Sequence, residues 1–294
     1  MSRMPAEGAA PAVFVGHGSP MNALERNRYT EAWRALGAAM PKPRGVVAVS
    51  AHWYINATAV TAMARPRTIH DFYGFPEELF AFQYPAPGSK EIAGAVVDAA
   101  KPIWVGADRD SWGLDHGTWS VLAHMFPEAD VPIVQLSVNA MKPPREHLEL
   151  GRRLESLRHQ GIVVVASGNI VHNLRQIDWR RPEGGEAWAE AFDREARTVL
   201  SDAPGDLSRL EAHPDFERAA PTPDHFLPLL YLAGLAAEAG EHPEVIVEGC
   251  VFGSISMTSY AIGSLTGAGA GAEANPAAAP LPDPGLVPPD DTNL

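Results

Sequence analysis

The run Ile162-Val163-Val164-Val165-Ala166, followed by Ser167-Gly168-Asn169-Ile170-Val171-His172-Asn173, contains the pattern that decides the fold. An uninterrupted series of apolar, mostly β-branched residues that ends in turn-forming residues predicts a strand buried on both faces of a sheet. Other short apolar runs predict further strands at residues 12–15, 46–50, 131–138 and 245–252.

Helical patterns alternate with these strands. Residues 146–160 carry three leucines among charged side chains, and Gly161 follows as a C-terminal stop signal. Residues 186–200 and 224–239 also predict helices, the second with Asp224 as its N-cap. This alternation predicts a single-domain α/β sandwich, with a mostly parallel central sheet flanked by helices.

The composition restricts the function. The chain has 294 residues, 46% of them hydrophobic, and a net charge of −13, which argues against binding to nucleic acids or anionic membranes. Residues 1–11 show no apolar segment typical of a signal peptide, and the apolar stretch 226–239 is too short to span a bilayer, so we expect a cytoplasmic protein. The single cysteine, Cys250, excludes an internal disulfide, and its apolar neighbours predict a packed core thiol. No glycine-rich nucleotide-binding motif follows any strand.

Four histidines, His17, His52, His172 and His225, stand where a predicted strand ends or a helix begins. The carboxyl ends of parallel strands share one edge of a sheet, where ligands bind. Imidazoles from distant parts of the chain therefore converge there, and we hypothesise a mononuclear metal site at that edge. No local HxH or HExxH motif accompanies them.

Other segments have two interpretations each. Residues 66–89 are rich in aromatic residues and proline, which predicts either a loop walling a pocket or a plain packing element. His116 is interpreted as a satisfied loop histidine or as an acid/base group held by loop geometry. For the five remaining histidines we expect solvated or locally bonded imidazoles: His124, His147, His159, His213 and His242.

Together, six motifs in a fixed order resemble those of the class III extradiol ring-cleavage dioxygenases, in the branch similar to DOPA 4,5-dioxygenases. The resemblance covers residues 12–265. The motifs are Gly16-His17-Gly18-Ser19-Pro20, Ser50-Ala51-His52-Trp53, His70-Asp71-Phe72-Tyr73-Gly74-Phe75-Pro76, Leu114-Asp115-His116-Gly117, Ser167-Gly168-Asn169-Ile170-Val171-His172-Asn173 and Asp224-His225-Phe226.

The resemblance implies a catalytic domain at residues 12–266. Residues 1–11 are expected to form a flexible N-terminus, and the Gly/Ala/Pro-rich composition of residues 267–294 predicts a flexible tail. It implies one divalent metal ion held by His17, His52 and His225: Fe(II) for dioxygenase activity, or Zn(II) in the protein as isolated. His172 is expected to be the acid/base group or a fourth ligand, and His116 a second catalytic histidine in the pocket. His70 and Tyr73 are the expected substrate contacts.

The implied substrates are a small aromatic diol and O₂, and the implied product is a ring-opened semialdehyde. The wider superfamily commonly has a glutamate as its third ligand, so a histidine there leaves the ion its full +2 charge. A carboxylated side chain on the diol needs a cation, for which Arg67, Lys142 and Arg175 are candidates. Two alternatives remain: a zinc hydrolase with Asp115 or His116 as base, or a non-catalytic metal-binding or interaction module.

Overall fold

The computed structural model describes residues 8–265, which form one sheet covered by helices on both faces. The strands are β1 (Ala12–Gly16), β2 (Gly45–Ile55), β3 (Ala59–Thr61), β4 (Arg67–Thr68), β5 (Gly106–Asp108), β6 (Gly113–Leu114), β7 (Ile133–Asn139), β8 (Ile162–Gly168), β9 (Glu244–Val247), β10 (Cys250–Val251), β11 (Ile255–Ser256) and β12 (Ser259–Ile262). The α-helices are α1 (Arg28–Ala39), α2 (Glu77–Ala81), α3 (Lys90–Ala100), α4 (His116–Met125), α5 (Pro144–Arg158), α6 (Ala187–Asp202), α7 (Phe216–Ala219) and α8 (Leu227–Ala239).

The main sheet has eight strands in the order β5-β3-β7-β2-β8-β1-β12-β9. Its centre is parallel, because β2 pairs with both β7 and β8, and β8 pairs with β1. Antiparallel pairs join β3 to β7, β1 to β12 and β12 to β9. The predicted α/β fold with a mostly parallel sheet is confirmed.

The central strands bury both of their faces, as their sequences predict. Along β8, Ile162 and Val164 pack into the core on one side of the sheet, and Val163 and Val165 pack into the core on the other. This alternation follows from the period of two residues in a strand. Helices α3, α5, α6 and α8 cover the first side, and α1 and α4 cover the second.

The predicted strand at residues 245–252 was wrong in its extent and in its environment. Strand β9 ends at Val247 and lies at the edge of the sheet, with Val245 39% exposed. The chain then bends at Gly249, whose φ of +134° interrupts the ladder. Cys250 and Val251 pair with β11 in a separate two-stranded sheet. Cys250 is buried there, as expected, and burial raises the pKa of its thiol.

The N-terminal boundary of the fold lies close to Ala10. The backbone N–H of Ala10 donates to the Arg158 carbonyl, and the buried Arg158 guanidinium donates to the Ala10 carbonyl. The predictions for residues 1–7 and 267–294 fall outside the described residues. Among the helices of residues 8–265, none combines the length and the apolar character needed to cross a membrane.

Candidate metal centre

Three of the predicted histidines lie at the carboxyl edge of adjacent central strands. His17 directly follows β1, and its backbone N–H donates to the Gly168 carbonyl at the end of β8. His52 lies inside β2, in a stretch where the pairing with β7 shifts register between Val49 and Tyr54. His172 lies four residues beyond the end of β8. The topology therefore brings side chains from three distant segments to one edge.

His225 lies at the same edge of the sheet, although it comes from a segment much later in the sequence. It lies in a short 3₁₀ turn, Pro223–His225, that precedes α8. The predicted N-cap role of Asp224 was wrong, because α8 begins at Leu227 and Phe226 occupies its N-cap without a side-chain bond. The Asp224 carboxylate instead contacts the imidazole of His225.

All four histidines, together with His116, form one buried imidazole cluster. The ring centroid of His17 lies 5.0 Å from that of His52, 5.4 Å from that of His225 and 5.8 Å from that of His116. The rings of His52 and His116 are 3.8 Å apart. The rings of His172 and His225 are stacked at 3.6 Å, with an angle of 6° between their planes.

A serine fixes the tautomer of His17. The Ser167 hydroxyl donates to the Gly117 carbonyl at 2.6 Å, so it can only accept from the imidazole that lies 2.9 Å away. His17 therefore carries its proton on Nδ1, and its Nε2 has a free lone pair. Such a partner orients a metal-binding histidine and determines which nitrogen meets the ion.

Carboxylates face the Nδ1 atoms of His52 and His225. Nδ1 of His52 lies 3.3 Å from Oδ2 of Asp71, and Nδ1 of His225 lies 2.5 Å from Oδ2 of Asp224. The contact of His225 is a hydrogen bond, which leaves its Nε2 as an acceptor. The contact of His52 lacks hydrogen-bond geometry, but it places the carboxylate on the Nδ1 side of the ring. In each of these histidines the nitrogen available to an ion is Nε2.

These Nε2 atoms fit a divalent metal. Nε2 of His17 and Nε2 of His52 lie 3.0 Å apart, where two lone pairs repel unless a cation lies beside them. Two nitrogens that bind one ion at about 2.0–2.1 Å are separated by roughly 3 Å. The buried Nε2 of His225 has no hydrogen-bond partner among residues 8–265, which is costly unless a ligand satisfies it.

The charge state of the imidazoles also favours a metal. Burial, followed by the proximity of the other imidazoles, holds the pKa values of His17 and His52 well below the usual range. Both side chains are therefore neutral at neutral pH, the form in which histidine binds metals.

Both interpretations placed His116 in a loop, but it is the first residue of α4. Its Nδ1 lies 3.0 Å from Oδ1 of Asp71, but neither of its buried ring nitrogens has a hydrogen-bond partner in the described part of the chain. The ligand nitrogens of His17, His52 and His116 all lie within 4.8 Å of one another. This trio is consistent with a single metal site, although its third member is not the His225 that we expected.

Asp115 caps the helix that carries His116. Its carboxylate accepts from the backbone N–H of Thr118 and from the side chains of Gln135 and Trp112. Burial, followed by the proximity of Asp71, raises the pKa of Asp115 to about 6. These contacts hold Asp115 in a structural role, so the arrangement does not favour it as the base of a zinc hydrolase.

The loop at residues 66–89 contains β4 and α2 and packs its aromatic rings beside the cluster. Phe72 contacts the imidazole of His116 edge-on, with ring centroids 5.6 Å apart. His70 Nε2 lies 2.9 Å from the Phe82 carbonyl, and its ring packs among Phe72, Phe80 and Trp119. Tyr73 is half-buried in the same loop. One imidazole nitrogen of His70 is thus engaged within the loop itself.

The other histidines have structural partners. His124 and His147 are buried rather than solvated, and they contact the Asn22 carbonyl at 2.6 Å and the Tyr231 hydroxyl at 3.1 Å. His159 pairs with Glu155, His213 accepts from the Asp215 backbone, and His242 contacts the Ser201 carbonyl. None of these five belongs to the imidazole cluster.

Gly117 gives a test of how tightly the cluster is packed. A Cβ atom at this position would lie 2.5 Å from the Ser50 hydroxyl and 2.8 Å from the imidazole of His52. We expect Gly117→Ala to displace His52, to weaken zinc binding about tenfold or more, and to destabilise the protein by about 1–3 kcal/mol. Zinc titration against a chromogenic chelator, combined with denaturant unfolding, measures both effects.

Gly94 is the matched control, because it lies inside α3 and a Cβ there would meet no atom within 4 Å. Gly94→Ala is expected to stabilise the protein by about 0.5–1 kcal/mol and to leave zinc binding unchanged. Unchanged zinc affinity in Gly117→Ala would contradict the packing described here.

An α/β sheet with a buried cluster of imidazoles at the carboxyl edge of its strands is consistent with a protein that holds a single metal ion. Residues 11–263 match the family described as the catalytic LigB subunit of aromatic ring-opening dioxygenase. The chain belongs to this family, the class III extradiol dioxygenases, and within it to the branch similar to DOPA dioxygenases. The resemblance seen in the six motifs is confirmed, and the protein is an aromatic ring-opening extradiol dioxygenase.

Several known proteins are similar to this chain. The 4,5-DOPA dioxygenase extradiol of Escherichia coli (strain K12) is 48% identical over 258 residues, which cover 86% of this chain and 94% of that protein. The 4,5-DOPA dioxygenase extradiol of Beta vulgaris is 34% identical and covers 84% of this chain and 94% of its own length. A crystal structure of an uncharacterized protein of E. coli K12 superposes with a TM-score of 0.75 at 42% identity, covering 86% of this chain and 99% of that one.

Three residues of the site were not identified from the sequence: Asp71, Ser167 and Asp224 as partners of the histidines. Each stands inside a quoted motif, and two of them are one residue away from a singled-out histidine. These residues could have been found from a general rule: an imidazole that binds a metal through one nitrogen needs a hydrogen-bond acceptor at its other nitrogen.

Proposed function

We propose that this dioxygenase cleaves the ring of a catechol with a carboxylated side chain, such as DOPA. The carbon–carbon bond beside one hydroxyl group breaks, both atoms of O₂ enter the product, and a ring-opened semialdehyde results. The observation that carries the proposal is the cluster of five buried imidazoles. Within it, the Nε2 atoms of His17 and His52 lie 3.0 Å apart, and Nε2 of His225 has no hydrogen-bond partner among the described residues. The names of the similar E. coli and Beta vulgaris proteins support the choice of substrate.

The proposed ligands of the ion are His17, His52 and His225. In each of them the Nδ1 atom faces an acceptor in the protein, so Nε2 is left for the metal. The proposed cofactor is Fe(II), with Zn(II) as an inactive substitute. When bound, Fe(II) supplies Lewis-acid coordination of the diol and electron exchange with O₂.

Two histidines remain for proton transfer. His172 lies flat against His225, close enough to the proposed ligand to take a proton from a diol hydroxyl. His116 presents a buried Nε2 with no hydrogen-bond partner among the described residues, and its Nδ1 faces Asp71. We assign His172 as the base that deprotonates the diol and His116 as the group that donates a proton during ring opening.

The aromatic loop supplies the wall of the proposed pocket. Phe72 packs against His116, and Trp119 donates from its indole to the Ile69 carbonyl, which ties the loop to α4. Tyr73 and His70 are the proposed substrate contacts. Tyr73 is the stronger of the two, because one nitrogen of His70 contacts the Phe82 carbonyl.

Arg175 is the proposed partner of the substrate carboxylate. It lies in the exposed 3₁₀ turn Leu174–Gln176, three residues after His172, and the Asn173 side chain accepts from its backbone N–H at 3.1 Å. Its position close to His172 in the sequence is what favours Arg175 over Arg67 and Lys142, the other two candidates.

We expect Arg175→Ala to raise the KM for DOPA about tenfold and to leave kcat close to that of the wild type. The reason is that a charge-assisted hydrogen bond contributes about 1.5–3 kcal/mol. The KM for 4-methylcatechol, which has no carboxylate, should not change. Lys142→Ala is the matched control and should leave both KM values unchanged. An equal rise in KM for both catechols in Arg175→Ala would remove this assignment.

Oxygen uptake tests the proposed function. Protein stripped of metal is reloaded anaerobically with Fe(II) and mixed with DOPA in an oxygen-electrode cell, and a Zn(II)-loaded sample serves as control. We expect iron-dependent uptake and a yellow ring-opened product. Two results would count against the proposal: DOPA is consumed but no ring-opened product forms, or no oxygen is taken up although the protein holds one equivalent of iron.

A further inference from the structure

Two carboxylates, the buried one of Asp224 and the mostly buried one of Asp71, lie directly behind imidazoles of the cluster. We propose that they are positioning residues, which fix the tautomers of these imidazoles and supply the negative charge that an all-histidine ligand set lacks. The proposal rests on the ligand set given under the proposed function. It assigns neither carboxylate to the metal itself.

Asp224 serves one histidine. Its side chain is almost fully buried, and Oδ2 lies 2.5 Å from Nδ1 of His225. This contact places the Asp224 carboxylate against Nδ1 of His225, while Nε2 of the same ring is buried without a hydrogen-bond partner among the described residues.

Asp71 serves two histidines at once. Oδ2 lies 3.3 Å from Nδ1 of His52, and Oδ1 lies 3.0 Å from Nδ1 of His116. Oδ1 also accepts from the backbone N–H of His116, at the positive N-terminal end of α4. The backbone hydrogen bond fixes the position of the carboxylate. The carboxylate faces the Nδ1 side of both rings, although neither Nδ1 meets it in hydrogen-bond geometry.

The remaining proposed ligand has a different partner. His17 contacts the neutral Ser167 hydroxyl, not a carboxylate. The environment of the three proposed ligands thus contains two negative charges, which equal the formal charge of a divalent ion. A histidine in place of the glutamate leaves the ion its full +2 charge when only the ligands are counted. Asp71 and Asp224 supply compensating negative charge from behind the ligand imidazoles, not as ligands of the ion.

A carboxylate behind a ligating imidazole increases the basicity of the imidazole, and loss of such a partner typically weakens metal binding about 10–100-fold. Loss of the negative charge also favours Fe(II) over Fe(III). We therefore expect weaker zinc binding and a more positive Fe(III)/Fe(II) potential when either carboxylate is neutralised. A residue with a merely structural role would not shift the potential.

The experiment uses the full chain with Asp71→Asn, Asp224→Asn and the corresponding Asp→Glu variants. Zinc affinity is measured by chelator competition, and the potential of bound iron by anaerobic redox titration. We expect each Asn variant to bind zinc about 10–100-fold more weakly and to have a more positive potential. The Glu variants, which retain the charge, should recover most of the potential even where their affinity is reduced.

Asp193→Asn is the matched control for the loss of a buried carboxylate. The Asp193 side chain is buried and accepts from the hydroxyls of Ser256 and Thr258, without contact to a proposed ligand. We expect this variant to lose stability but to keep the zinc affinity and iron potential of the wild type.

The outcomes separate this proposal from the proposed function. If the wild-type protein binds metal but shows no ring cleavage, the function fails while the carboxylate proposal is still tested by affinity and potential. Zinc affinity within twofold of the wild type in both Asn variants, with an unchanged potential, would overturn the proposal. Equal losses of affinity in Asp193→Asn would overturn it as well, since the effect would then be general destabilisation.

Discussion

Replacement of His225 by alanine is expected to abolish tight binding of Zn(II) and Fe(II). The variant removes the Nε2 atom that is buried without a hydrogen-bond partner among the described residues, and it leaves the Asp224 carboxylate without its imidazole. The loss of affinity should exceed the roughly 10–100-fold that follows removal of a ligand's hydrogen-bond partner. Metal content by atomic emission, together with chelator competition, measures it.

His116→Ala is the decisive comparison for this prediction. The ligand nitrogens of His17, His52 and His116 lie within 4.8 Å of one another, so this second trio is a geometric alternative to the proposed one. We expect His116→Ala to retain most of its metal and to lose turnover. Full metal retention in His225→Ala, with loss of metal in His116→Ala, would transfer the third ligand position to His116.

Replacement of His172 by alanine is expected to leave most of the metal bound and to lower kcat about 10²–10⁴-fold, the usual contribution of a general base. The physical reason is its position. The His172 ring lies stacked on that of His225, so it is next to a proposed ligand. Steady-state oxygen uptake by the iron-loaded variant, normalised to its iron content, separates chemistry from metal loss.

His159→Ala is the control for this variant, because His159 lies on the surface after α5 and pairs with Glu155. It should leave metal content and kcat unchanged. If His172→Ala instead loses its metal in parallel with its activity, His172 is a fourth ligand and not mainly a base.

The sequence predicts the parts of this site that depend on strand ends. The apolar runs before His17, His52 and His172 are long enough to define buried strands, and parallel strands bring their carboxyl ends to one edge. The convergence of these three histidines therefore follows from strand order and direction, without any knowledge of side-chain contacts. The position of His225 followed from its motif, although the helix after it begins later than predicted, at Leu227.

The partners of the histidines could not be predicted in the same way. Asp224 has the composition and position of an N-cap, and local sequence does not distinguish that role from contact with the adjacent imidazole. Asp71 lies in an aromatic loop and contacts His116, which is 45 residues away. A contact of that separation depends on tertiary structure, which periodicity does not report.

Two errors in secondary structure have identifiable causes. Helix α4 has an apolar sequence with few charged residues and is buried almost throughout, so it shows no amphipathic period. The run 245–252 is apolar enough to suggest a central strand, but Gly249 breaks it and the antiparallel pairing of β9 with β12 places it at the edge. Composition alone does not distinguish an edge strand from a central one.

The most direct test of the central claim follows the oxygen atoms. The Fe(II)-loaded protein is allowed to turn over DOPA under ¹⁸O₂, the product is reduced at once with borohydride to prevent exchange at the aldehyde, and its mass is measured. The account predicts a ring-opened product that carries both labelled oxygen atoms. An unlabelled quinone with the label in hydrogen peroxide or water would contradict ring cleavage at this cluster of histidines.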